Sequence, residues 1–157
     1  MKLRTPIFVI LSLYATATFA GKPISCPFTS VELKLALDID FEAGKAHPDS
    51  EFSSGRSLTC EYESKSDRHT HLSVSQTVMN DPTQTQGWDA MLAGIKEKLP
   101  NDPDGAIRQT DQGDVTSPNL HYVRSGNIVG LRVTGVGKKH PSFDFLQSKL
   151  ASLRRLP

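Results

Sequence analysis

The chain has 157 residues, 37% of them hydrophobic and 22% charged, with a formal net charge of +1. That is one-domain size with enough apolar material for a real core, and the near-neutral balance argues against a polybasic nucleic-acid binder. The charge is nonetheless polarised: residues 120–157 hold seven basic side chains and a single acid, Asp144. This region could meet an anionic partner or a membrane surface, although Arg154 and Arg155 are expected simply to complement the negative end of a last helix.

Residues 1–20 carry Lys2 and Arg4, an apolar run at 7–14 and the small-residue end Thr18-Phe19-Ala20. This is the layout of a cleavable secretory signal, and the run is too short to span a bilayer. No later segment is apolar enough to cross a membrane. The expectation is therefore an exported protein, periplasmic or secreted, with residues 21–157 as its single domain. In an oxidising space the two cysteines, Cys26 and Cys60, are expected to pair. The bridge would close a loop of about 35 residues and stabilise the fold by roughly 3–4 kcal/mol.

The first element is ambiguous. Val31, Leu33, Leu35, Leu37, Ile39 and Phe41 alternate with polar residues or alanine, as in a half-buried strand. Yet Glu-Leu-Lys-Leu-Ala-Leu is made of strong helix formers, and Thr29-x-x-Glu32 matches a capping box. Residues 43–57 then read as a long, polar, irregular loop. Two strands follow. One places Leu58, Cys60 and Tyr62 on one face. The other does the same with Leu72, Val74 and Val78, and the polar link 65–68 joins them as a hairpin.

Next, Trp88, Met91, Leu92, Ile95 and Leu99 fall on one helical stripe, which predicts a helix ended by Pro100. A short strand near 106–110 is expected before a second hairpin. Taking Gly126-Asn127 as its turn, Tyr122 meets Leu131 and Leu120 meets Val133. Leu120, Tyr122, Val129, Leu131 and Val133 then share one face, with His121, Val123, Gly130 and Arg132 on the other. The chain closes with a helix capped by Ser142 and buried through Phe143, Leu146, Leu150 and Leu153.

The segments "CPFTSVELKLAL" and "LTCEYES…LSVSQTV" resemble a layout in small secreted bacterial proteins, among them actinobacterial cell-envelope lipoproteins. There a cysteine opens a short capped helix and a second lies early in a strand, followed by a helix, a hairpin and a C-terminal helix. The resemblance implies that residues 30–37 are helical. This chain departs from it in lacking a lipid-attachment cysteine. The predicted fold is thus an α+β domain, an antiparallel sheet with packed helices in the order α-β-β-α-β-β-β-α.

No catalytic signature is present. His69 and His71 share a strand face, but two ligands do not make a metal site without a third such as His121 or His47. "GVGKKH" lacks the phosphate-loop spacing, and the Asp102-Asp104-Gly105 run reads as a turn. No cofactor is implied. The expected function is that of an exported, non-enzymatic protein that binds another protein in the envelope, as an inhibitor or immunity protein against a cell-wall-acting enzyme or toxin. Contacts are expected from loops around Ser54, Gly55 and Arg56 and around Ser125, Gly126 and Asn127. The alternative is a sensor or small-ligand-binding domain, with a pocket between sheet and helix near Tyr62 and Trp88.

Overall fold

A computed structural model describes residues 25–92, 94–111 and 116–157. The expected signal segment lies outside the described residues. Among those described, eight strands form one antiparallel sheet and two short helices pack on it. The strands are β1 (Lys45–Ala46), β2 (Ser50–Phe52), β3 (Gly55–Glu63), β4 (His71–Met79), β5 (Ile95–Lys98), β6 (Ile107–Asp111), β7 (Asn119–Arg124) and β8 (Asn127–Thr134). The order across the sheet is β1-β3-β4-β8-β7-β6-β5, with β2 sharing the outer edge of β3 with β1. The helices are α1 (Ser30–Leu37) and α2 (Phe143–Lys149), the latter running on into a 3-10 turn.

The opening segment is helical. Thr29 caps it, its hydroxyl accepting the Glu32 N–H at 3.1 Å. The helix buries Leu33 and Leu37 while Val31 and Leu35 stay exposed, so its period-two apolar pattern is spread around the axis. Asp38, with φ of 57°, stops it in the left-handed conformation. The Glu32 carboxylate reaches Arg154 at 2.7 Å.

Both hairpins sort their faces as the alternation predicts. Cys60, Tyr62, Leu72, Val74, Leu120, Tyr122, Val129, Leu131 and Val133 all face the helices and are buried with Leu146, Leu150 and Leu153. The second turn, however, is Ser125-Gly126 rather than Gly126-Asn127. Both turn residues have positive φ, 52° and 76°, as a two-residue hairpin turn requires. Tyr122 therefore pairs with Val129 and Leu120 with Leu131, two residues from the expected partners. A shift of two preserves side-chain direction, which is why the face assignment survived the wrong register.

Four further expectations fail. The helix predicted over 86–99 is absent: a 3-10 turn at Pro82–Thr85 precedes the segment, which itself makes one 3-10 turn, Trp88–Met91, and then strand β5. Gly87 and Gly94, at φ of 70° and 78°, break the helical path at both ends of a six-residue span, too short to hold a helix alone. The 43–57 loop is largely strand, since β1 and β2 cover the outer edge of β3. Arg154 and Arg155 are also not left to a helix end: Arg154 pairs with Glu32, and Arg155 with Asp102 and Asp104. Ser142 sits at the start of α2 but makes no side-chain cap. The observed order is therefore α-β-β-β-β-β-β-β-β-α.

The Cys26–Cys60 disulfide is formed, with Cα atoms 5.7 Å apart, tying the segment before α1 to the middle of β3. A disulfide is compatible with an extracytoplasmic protein. No described helix is long and apolar enough to cross a membrane.

Candidate functional site

The two loops singled out by sequence meet at one end of the sheet. The β2–β3 turn at 53–54 and the β7–β8 turn at 125–126 lie on either side of the chain leaving β4. Asn80 binds this arrangement together, its N–H donating to the Ser54 carbonyl at 2.8 Å and its amide to the Ser53 carbonyl at 3.4 Å. Asp81 then caps the first 3-10 turn, accepting from the Thr83 N–H at 2.9 Å and hydroxyl at 2.8 Å. The Thr83 hydroxyl and amide donations hold the Asp81 carboxyl below its usual range. Pro82 packs within about 3 Å of where a Gly126 side chain would begin. The sheet thus gathers three short loops at one end.

Register places the site residues. Arg56 pairs with Val78, Val78 with Asn127, and Asn127 with Arg124. These four side chains form one cross-strand row on the helix-bearing face, at the loop end. Three strand spacings of roughly 4.8 Å put the two arginine backbones about 14 Å apart. Arg56 is exposed and makes no ion pair among the described residues, whereas Arg124 reaches Asp104 only at 4.0 Å. Shallow recesses of about 220 and 260 Å³ flank Arg56, bounded by Asp49 and Gln76 on one side and by Glu51, Phe52 and Asn80 on the other. Phe52 is 43% exposed.

Not every predicted residue lies at the surface. Gly55 is buried in β3, and a Cβ there would lie 2.3 Å from the Val78 carbonyl oxygen. It lets β3 pass β4 and presents no surface. Ser54, Arg56, Ser125, Gly126 and Asn127 do share the loop end. Arg124 was missed by sequence reasoning, and the hairpin register, read correctly, would have found it.

Tyr62 and Trp88 do not share the pocket between sheet and helix that the sequence suggests. Tyr62 is fully buried on the helix side, and Trp88 lies against His121 on the opposite face. A groove of about 450 Å³ instead opens between α1, the β3–β4 turn and α2, with Leu37, Val136 and Leu146 in its floor and Asp67 and His140 on its rim. The Asp67 carboxyl is held below its usual range, first by the His69 N–H and then by the Thr70 hydroxyl. Among the described residues no group of three or more His, Cys, Asp or Glu side chains could hold a metal ion. His47 instead contacts Glu61 at 3.1 Å.

No protein-family model matches the chain, and no curated protein or solved structure matches it.

Proposed function

We propose that this is an exported protein-binding domain of inhibitor or immunity type, docking through its loop end onto an acidic cleft of an envelope partner. The cross-strand row Arg56–Val78–Asn127–Arg124 carries this reading. It offers two guanidinium groups on a rigid sheet, flanked by an exposed aromatic ring and three short loops. A guanidinium forks onto a carboxylate with defined geometry, and cell-wall glycosidases work with paired carboxylates. Calorimetry against the partner tests it. Arg56→Ala should weaken binding by more than about 1 kcal/mol with the melting temperature unchanged; unchanged affinity would remove Arg56 from the interface.

A second reading, small-ligand binding, draws on the groove between α1 and α2. Its apolar floor and polar rim have the general make-up of a ligand site.

A further inference from the structure

The face of the sheet away from the helices carries the chain's single tryptophan. Trp88 lies tilted against His121, ring centroids 6.5 Å apart. Gly130 makes room for that imidazole, since a Cβ there would sit 3.1 Å from His121 Nδ1 and 2.6 Å from Ser75 Oγ. The Lys96 ammonium donates to the Asp89 carbonyl at 2.7 Å and so ties the Trp88 turn to β5. Beside the indole opens a groove of about 330 Å³, with Ile107 and Val123 among its apolar residues and Gln86, Asp89 and Lys98 among its polar ones.

The composition of this groove selects among ligands. One acid and one base leave no net charge for an anion or cation to exploit. An aliphatic chain would contact only the apolar residues and draw nothing from the amide, carboxylate and ammonium beside them. A pyranose ring has an apolar face of C–H groups that stacks on an indole and a rim of hydroxyls that both donate and accept. We propose that this groove is a saccharide site, taking a neutral glycan with one ring against Trp88 and hydroxyls bonded to Gln86, Asp89 and Lys98. The site faces away from the Arg56 row and stands independently of the protein-binding reading.

Because Trp88 is the sole tryptophan, its fluorescence reports on this groove alone. The purified protein is titrated with chitotetraose, cellotetraose and maltotetraose up to about 10 mM, above the roughly 1 mM dissociation constant of a weak site. At least one should give a saturable change. Calorimetry with that sugar should show affinity reduced about tenfold by Gln86→Ala and by Asp89→Ala, the loss of about one hydrogen bond each. Trp88→Ala should abolish binding. If that variant melts early, Trp88→Phe should retain weakened binding on a folded chain. No saturable response to any of the three sugars, or undiminished affinity in Gln86→Ala and Asp89→Ala, overturns the proposal.

Discussion

Tyr62 and Tyr122 are exchanged by a local two-fold relation about the Val74–Leu131 pair at the centre of the sheet. The registers show it: Leu72 corresponds to Val129, Cys60 to Leu120, and Tyr62, the cross-strand partner of Leu72, to Tyr122, the cross-strand partner of Val129. Each phenol oxygen accepts a backbone N–H from the segment flanking the sheet, Phe28 at 2.9 Å and Leu156 at 2.8 Å. Arginines seal both places, Arg154 over the Phe28 ring at 5.1 Å and Arg155 over the Tyr122 ring at 4.6 Å. Burial raises both tyrosine pKa values, so the phenols stay neutral acceptors. Replacing either tyrosine with phenylalanine strands a buried N–H and should cost about 1–3 kcal/mol. The two losses should add within about 0.5 kcal/mol, because the sites share no partner. Urea denaturation of the single and double variants checks this.

Arg155 should matter more than its place near the end of the chain suggests. Its side chain is 13% exposed and that of Asp102 is 7%. Asp102 also accepts the N–H groups of Asp104 at 3.0 Å and Ala106 at 3.1 Å, so it cannot turn away. Arg155→Met should cost about 3–5 kcal/mol by leaving that carboxylate buried and unpaired. Arg155→Met with Asp102→Asn should recover most of the loss in the same denaturation assay.

In the second hairpin, Leu131→Asp should unfold the domain, since its side chain is 1% exposed in the core. Sequence alternation alone makes Arg132 a wet-face residue whose replacement by Asp would be neutral. The structure changes that expectation. Arg132 donates to the Gln109 amide oxygen at 3.0 Å, and Gln109 is buried. Arg132→Asp should therefore cost about 1–3 kcal/mol, and thermal melts should rank wild type, Arg132→Asp and Leu131→Asp in that order.

Much of this was readable from the residues, and the exceptions have physical causes. Alternation located both hairpins and their inner faces because one face of each strand meets the core. It could not fix the turn, because Ser125-Gly126 and Gly126-Asn127 leave every side chain pointing the same way. The stripe from Trp88 to Leu99 was misread because two glycines outweigh five apolar residues at helical spacing when the intervening span is short. Trp88 found its partner, His121, on the sheet's far face, where sequence gave no sign of a second apolar cluster. Short strands such as β1 and β2 have almost no pattern of their own and exist because β3 has an edge to cover.

His121 supplies a pH signature. Burial, with Arg132 nearby, pushes its pKa from 6.5 down to about 4. At this side chain the unfolded state therefore binds up to one more proton than the folded state between about pH 6.5 and about 4. Stability should be full above that window, fall as pH drops through it and lose up to about 3 kcal/mol at its lower end. His121→Phe should remove this dependence. Melting curves of both proteins at pH 7 and pH 4.5 isolate the effect, because every other group is common to the pair.

The protein-binding account is tested most directly by site-specific photocrosslinking in the native envelope. A photoreactive residue is placed at Ser54, at Ser125 or, as a control away from the loop end, at Asp144. The account predicts one shared adduct from positions 54 and 125, none from 144, and loss of that adduct when Arg56→Ala is added. Adducts from position 144 alone, or a shared adduct that survives Arg56→Ala undiminished, would contradict it.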